Sequence, residues 1–204
     1  MFALVNKEDN SIVRMFNGRK GITIGENQYP QSIFTLWSEA ERNEINIYTI
    51  EIDESKKKDS KWYINTNINY SFDGSKAKAS YGDATAKAHA DVLFTQEDED
   101  NGRGTKDDVK TKGLKTILIE DVKAQAQNEL NRTDWYVTRK SEEDTAIPSS
   151  ITTHRKAVRS KQAEMETAIT NASDTPALET LYTYTRQEDG TSARPLGELP
   201  TLED

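Results

Sequence analysis

The residues with the types and spacing for chemistry are two histidines, several close carboxylate pairs and one acidic run around a glycine. His89 and His154 are the only histidines and stand 65 positions apart. Neither belongs to an H-E-x-x-H pattern, so a histidine-held metal or a histidine relay has no local support, and each reads as a solvated or hydrogen-bonded side chain. Glu39 with Glu41, and Glu51 with Asp53, are carboxylates two apart, which share a face in a strand and splay in a helix. General acid–base work needs a perturbed pKa as well as a pair. These pairs therefore read as surface charge, with a carboxylate-dependent glycan hydrolase as the rival if two of them meet about 5–10 Å apart in a cleft. Glu97, Glu99, Asn101, Gly102 and Asp108 fall on positions one, three, five, six and twelve of a calcium loop, where oxygens wrap a hard cation around a glycine turn. Glu at the first position and Asp at the twelfth depart from that pattern, so the calcium-stabilised binding module stands behind a solvated linker. Gly18, Gly21 and Gly25 fit neither a P-loop nor a dinucleotide fingerprint. No cofactor is expected.

The most basic run is His154-Arg155-Lys156-Ala157-Val158-Arg159-Ser160-Lys161. A helix there groups Arg155, Arg159 and Gln162, a conceivable nucleic-acid face. No aromatic residue interleaves with it, and Glu142, Glu143, Asp144, Glu164 and Glu166 are close in sequence. A charge network or an acidic protein surface fits better. The net charge of -8 also argues against nucleic acid, because non-specific binding there depends on Lys and Arg neutralising phosphates.

Two kinds of element must position these residues. Ten of the fifteen isoleucines precede residue 69, and β-branched enrichment reads as strand. Strands are expected at Phe2 to Val5 and Ser11 to Phe16, and around Ile22 to Ile24. A helix is expected from Ser32 to Glu44, and another strand through Ile45, Ile47, Ile50 and Ile52. Trp62, Ile64, Ile68, Tyr70 and Phe72 share one parity, so a strand is expected from Lys61 to Phe72, turning at Asp73-Gly74 into a return strand over Lys76 to Tyr81. Such a hairpin has too little apolar surface to stand alone and must add to the first sheet or lie against something else. Residues 1–95 thus form a β-rich domain, made of an α+β unit over 1–54 and the hairpin over 61–81.

Between Gln96 and Asp108 lie six acidic and two basic residues, and 96–107 reads as an acidic linker. Helical period follows. Leu114, Ile117, Leu118, Val122, Ala126, Leu130 and Val137 make one stripe on a helix from about Asp108 to Lys140. Ile151, Val158, Met165 and Ala172 recur every seven residues on a second helix opened by Pro148 with Ser149 or Ser150 as cap. A short third helix has Thr175 as cap and Pro176 in its first turn. The expectation for 108–185 is an antiparallel helical hairpin plus this short helix. Residues 186–204 read as an extended C-terminal arm anchored by Leu196, Leu199 and Leu202. The fold class is α+β.

Leu, Ile, Val and Phe make up only 38 of the 204 residues, close to the level at which a chain struggles to bury a core. Thin elements that finish burying themselves on a partner are the expected result. The absence of cysteine removes disulfides, thiolate metal sites and cysteine nucleophiles. Neither a signal-peptide run nor about 18 consecutive apolar residues occurs, so a soluble product without membrane contact is expected.

Thr133-Asp134-Trp135-Tyr136-Val137-Thr138-Arg139, then Ala146-Ile147-Pro148, then Arg155-Lys156-Ala157-Val158-Arg159 resembles the C-terminal segment of tailed-bacteriophage proteins of the tail-assembly-chaperone or tail-fibre-associated type. There a T-D-W element precedes a Pro-opened helix with two spaced arginines. Tyr29-Pro30-Gln31-Ser32-Ile33-Phe34-Thr35-Leu36-Trp37 and Arg194-Pro195-Leu196-Gly197-Glu198 are weaker echoes of the same kind. The resemblance implies a non-enzymatic role in the virion tail, or in the host cytoplasm during assembly, with phage tail or tail-fibre proteins as partners. Self-association and the choice between chaperone and permanent component stay open. The expected contact residues are Trp135, Tyr136, Arg139, Arg155 and Arg159, since aromatic rings have area to bury and arginines stack on rings or fork onto carboxylates. The arm leucines join them. The alternative for Trp135 is that it closes the hairpin's own core.

Overall fold

The computed structural model describes residues 1–202, in two units that divide between Thr85 and Ala86. In the first, β1 (Phe2–Asn6) and β2 (Ser11–Phe16) are antiparallel. In their turn Asn10 takes a positive φ of 58°, tolerated best by Asn, Asp and Gly, and the Asp9 carboxylate accepts from the Ser11 N–H at 2.9 Å. A second hairpin, β3 (Ile22–Ile24) and β4 (Asn27–Tyr29), follows. β5 (Ile47–Asp53) lies antiparallel to β1. After the two-residue β6 (Tyr63–Ile64), β7 (Ile68–Phe72) turns into β8 (Ala77–Tyr81), which runs parallel to β5. The sheet order is β2-β1-β5-β8-β7, so the expected hairpin does extend the first sheet. The two-residue β9 (Thr85–Ala86) falls at the division between the units.

Alternation along these strands sorts two cores. Ala3, Val5, Tyr48, Ile50, Phe72, Ala77 and Ala79 are buried together on one face. On the other, Phe16 and Ile47 are buried with Ile33 and Phe34. The sheet curls so that its outer strands β2 and β7 approach each other. They meet at the turns, where a Cβ on Gly74 would lie 3.9 Å from the Asn10 Oδ1.

Two expectations in this unit are corrected. Ser32 to Glu44 is not one helix but a short 3-10 turn at Gln31–Phe34 and a separate α1 (Glu39–Glu44). Ser38 starts α1 afresh through a capping box: its N–H donates to the Glu41 carboxylate at 2.7 Å, and the Glu41 N–H donates to its hydroxyl at 3.3 Å. Lys61 to Phe72 is likewise not one strand. The neighbours Trp62 and Tyr63 are both buried, which breaks the period of two, and the Asn65 side chain folds the segment back onto the Lys58 backbone, accepting at 3.0 Å and donating at 2.8 Å.

The second unit begins with β10 (Val92–Leu93) paired to β11 (Val109–Thr111). Between them the expected linker is folded: α2 (Gln96–Asp100) is capped by Thr95 in a second capping box with Asp98. Asp98 is buried and receives the Lys110 ammonium on both oxygens, at 3.0 and 3.1 Å. The calcium-loop arrangement fails for the same reason. Glu97 and Glu99 ride on helix α2, and the Asn101 side-chain NH2 donates to the Glu97 carbonyl at 2.7 Å, capping that helix rather than opening a loop. Among the described residues no group of three or more such side chains is placed to hold a metal ion.

α3 (Leu114–Asn131) buries Leu114, Leu118, Val122, Ala126 and Leu130, one residue every four. It starts at Gly113, where a Cβ would stand 2.3 Å from the Ala90 carbonyl. The helix expected to run from 108 to 140 is instead broken at Arg132–Thr133, and α4 (Asp134–Glu143) follows as a separate segment. α5 (Ser149–Asn171) packs antiparallel on α3 and buries Ile151, Val158, Met165 and Ile169. Its cap position is Pro148 itself, with no side-chain cap bond. α6 (Thr175–Tyr182) is capped not by Thr175 but by the Asp174 carboxylate, which accepts from the Ala177 N–H at 2.8 Å; Thr175 instead donates its hydroxyl to the Lys87 carbonyl at 2.7 Å.

The segment expected as an extended arm folds back on its own unit. β12 (Thr185–Arg186) and β13 (Ser192–Ala193) form a small hairpin, and the Leu196 N–H donates to the Leu181 carbonyl at 3.0 Å. Arg194 stacks between Tyr182 and Tyr184 at 5.2 and 5.4 Å and pairs with Glu198 at 2.7 Å. Residues 203 and 204, the end of the expected arm, lie outside the described residues. Among those residues no helix is long and apolar enough to cross a membrane.

Candidate functional site

The break between α3 and α4 creates the most distinctive surface of the second unit. Thr133 is fully buried and spends its hydroxyl twice: it donates to the Leu130 carbonyl at 3.0 Å and accepts from the Arg155 guanidinium at 2.6 Å. With that hydroxyl engaged behind it, α4 starts at Asp134, an acidic first-turn residue that suits the helix dipole. It ends at Asp144 in the left-handed region, φ 54°, where Lys140 ion-pairs with Asp144. None of the ten residues of α4 is buried.

Trp135, Tyr136 and Arg139 converge on this helix. Arg139 lies four residues after Trp135 and three after Tyr136, the spacings that place side chains side by side on a helix. The two rings have centroids 3.9 Å apart, and the Arg139 guanidinium carbon sits 4.6 Å and 5.5 Å from their centres. The Arg139 Nε is enclosed without a hydrogen-bond partner, as suits a planar cation held by stacking. Trp135 nevertheless stays 51% exposed, so it does not close the hairpin's core. An exposed tryptophan, a tyrosine and an arginine in one patch have the composition of a binding hot spot.

The other expected contact residues go elsewhere. Arg155 is buried, with its guanidinium 2.8 Å from the Leu130 carbonyl, 2.6 Å from Thr133 and 2.8 Å from the Asp134 carboxylate. It ties α5 to the α3–α4 corner and offers nothing to a partner. Arg159 is exposed and lines an open groove of about 770 Å³ between α3 and α5 with Gln127, Gln162 and Glu166. Leu196 is only 2% exposed, and Leu199 packs on Ala126, Leu130 and Val158, while Leu202 is half-buried. Leu196 and Leu199 thus anchor the chain to itself.

The carboxylate pairs have structural work. Glu41 caps α1; hydrogen bonds from the Ser38 side chain and backbone lower its pKa. Glu51 pairs with Lys76 at 2.7 Å. Asp53 is lowered by hydrogen bonds from Ser55. A general acid needs the opposite displacement. His154 faces the interior with its Nε2 enclosed and without a partner. Burial pushes the Tyr182 phenol up to about 12, as fits a ring under the folded-back segment.

One site escaped the sequence reading. In the first unit an apolar cavity of about 180 Å³ opens at the end of the curled sheet, lined by Met1, Ile50, Ile52, Ile68, Tyr70 and Tyr81 among others. The signal was present: Ile50 and Ile52, and Ile68 and Tyr70, share one parity on strands that pair through β8, more apolar length than a core of small alanines consumes. Comparison of the chain with protein-family models, with curated proteins and with solved structures finds no match.

Proposed function

We propose that this chain is a non-enzymatic tail or tail-fibre-associated protein of a tailed bacteriophage, acting through protein–protein contacts centred on α4. The phage assignment rests on the resemblance of the T-D-W segment and of the Pro-opened helix after it. The contact surface rests on one observation: α4 buries none of its residues, yet carries the stacked Trp135, Tyr136 and Arg139 with Trp135 half in solvent. A helix that gains so little from its own unit gains most by laying that patch against another protein.

Cross-linking mass spectrometry on infected cells and on purified particles tests this. The expected result is cross-links from Lys140, next to the patch, to a tail or tail-fibre polypeptide, and loss of that association in Trp135→Ala. Truncating a hot-spot aromatic costs about 2 kcal/mol or more, roughly 30-fold in affinity. Cross-links confined to infected-cell extracts mean an assembly chaperone; fixed copy number in mature particles means a structural component. A chain that cross-links to no virion protein, or a Trp135→Ala variant that associates normally, refutes the proposal.

A further inference from the structure

In the first unit, the loop joining β2 to β3 borders a cavity of about 470 Å³, lined by Arg14, Met15, Asn17, Arg19, Lys20 and Ile22 among others. Three of these residues are cations, and none of the residues lining the cavity is acidic. Arg14, Arg19 and Lys20 are exposed and make no ion pair among the described residues. Other cations of the unit are spent on carboxylates: Lys57 on Glu54, Lys76 on Glu51 and Lys78 on Asp73, at 2.6, 2.7 and 2.8 Å. Between Asn10 and Ser38 the single acid is Glu26, in the turn from β3 to β4. Glu8 and Asp9 lie in the turn at the opposite end of β2, where Asp9 is engaged by the Ser11 N–H. This stretch thus carries an excess of two positive charges. The backbone that presents them is pinned. Gly18 sits at φ 73°, and a Cβ there would stand 2.9 Å from the Phe2 ring and 3.3 Å from the Phe34 Cβ. Its carbonyl accepts from the Gln31 side-chain NH2 at 3.1 Å, and the Arg19 N–H donates to the Asn17 Oδ1 at 3.0 Å. A Cβ on Gly21 would lie 2.7 Å from the Tyr29 carbonyl. The Arg14 guanidinium carbon stands 5.2 Å from the centre of the buried Phe16 ring.

From this arrangement we infer that the β2–β3 loop binds a phosphate monoester the size of a sugar phosphate, with Arg14, Arg19 and Lys20 on the phosphate. Charge selects the anion. A phosphate monoester carries about −1.5 to −2 at neutral pH, which matches the local excess. Guanidinium forks fit two phosphate oxygens at once, and a lysine adds a point charge. Size selects the body of the ligand. The cavity falls within the range of small-molecule sites, about 300–1,000 Å³, and is too large for a bare ion. Asn17 spends its Oδ1 on Arg19 and keeps its side-chain NH2 for a ligand hydroxyl. Met15, 44% exposed, offers apolar surface to the C–H face of a sugar. A nucleic-acid strand needs cations along a track, whereas these three fall within Arg14 to Lys20 of a chain with net charge -8. Because the loop is fixed in advance, binding loses little to ordering of the backbone.

The test titrates the full chain with glucose 6-phosphate, read by calorimetry and by the backbone amide signals of an isotope-labelled sample. Saturable binding with a Kd of about 1 mM or tighter is expected, with shifts at the amides of Gly18 to Gly21. Glucose and inorganic phosphate should each bind at least about tenfold more weakly, and added salt should weaken the ester. Arg19→Gln and Lys20→Gln, both at exposed positions and checked for an unchanged melting curve, should each weaken binding about tenfold, and Lys20→Arg should keep it. Lys57→Gln and Trp135→Ala should leave it unaltered, which separates this loop from the other lysines of the unit and from α4. Four results would each overturn the inference: no saturation by glucose 6-phosphate; equal affinity for inorganic phosphate; binding unchanged in both glutamine variants; and association with single-stranded oligothymidylate, or with phosphatidylcholine vesicles containing phosphatidic acid, at concentrations where glucose 6-phosphate leaves the loop empty.

Discussion

Replacing Arg155 by alanine removes the hydrogen bonds and ion pair by which that side chain joins α5 to the corner between α3 and α4. Its guanidinium reaches the Leu130 carbonyl and the Thr133 hydroxyl, both buried, and the Asp134 carboxylate, which is 49% exposed. Hydrogen bonds from a charged donor are worth about 1.5–3 kcal/mol each. The pair with half-exposed Asp134 adds only about 0–1 kcal/mol. The loss is softened because the Thr133 hydroxyl goes on donating to the Leu130 carbonyl at 3.0 Å, so neither group is orphaned. The expected cost is about 3 kcal/mol, a fall of roughly 12 °C in the melting midpoint of a unit of this size, followed through the helical far-ultraviolet signal. Arg155→Met, which keeps the packed stem, should lose about half of that. In the double variant with Thr133→Val the two effects should fall short of their sum by about 1–2 kcal/mol, because both act through one contact. A midpoint within about 3 °C of wild type for Arg155→Ala, or strict additivity with Thr133→Val, refutes the reasoning and returns Arg155 to the surface residues.

Leu196→Ala should destabilise the second unit by about 2–4 kcal/mol in chemical denaturation, as for a fully buried leucine, whereas Leu36→Ala, 80% exposed, should stay within about 0.5 kcal/mol; equal effects would mean that the segment after β13 is a frayed tail. Asp98 is lowered from 3.8 to about 2, first by the Lys110 ammonium and next by the Thr95 N–H. A depressed carboxylate stabilises the fold above its ordinary value, and that stabilisation disappears as pH falls through the folded value. Asp98→Asn should therefore be less stable than wild type at neutral pH, with the difference shrinking between about pH 4 and pH 2, as measured by denaturation midpoints; a gap that is constant with pH counts against the buried Asp98–Lys110 contact.

The parts of the fold that could be read in the sequence are those in which one residue's role depends on its neighbours along the chain. The isoleucine-rich strands, the Asp73-Gly74 turn and the four-residue stripe from Leu114 to Leu130 follow from periodicity and turn chemistry, since burial repeats with the geometry of a single element. Where the reading failed, a side chain had been assigned to solvent by its type and was claimed by a partner far along the chain. Asp98 looked like one charge among six in a linker until Lys110 crossed from β11 to meet it. Arg155 looked like a surface cation until Thr133 and the Leu130 carbonyl turned toward it. Arg194 and the leucine after Pro195 looked like a loose tail until two tyrosines and the Leu181 carbonyl held them.

The same distinction explains the two candidate sites. Trp135, Tyr136 and Arg139 could be grouped from sequence because helical spacing brings Arg139 alongside each ring; what spacing could not give was their exposure, which follows from the break at Thr133 and from a helix that buries none of its own residues. The cavity of the first unit required strand order. β5 meets β8 in parallel, with Ile50 opposite Ala77, and only that crossover sets Ile52 beside Tyr70 and Tyr81. At the filled end of this sheet Tyr48 packs on Phe72 over Ala77, whereas at the other end the small Ala79 lies between Ile52 and Tyr70 and lines the cavity. The scarcity of apolar residues therefore does not leave the protein unfolded; it leaves apolar surface in two defined places, one on α4 and one at the mouth of the sheet.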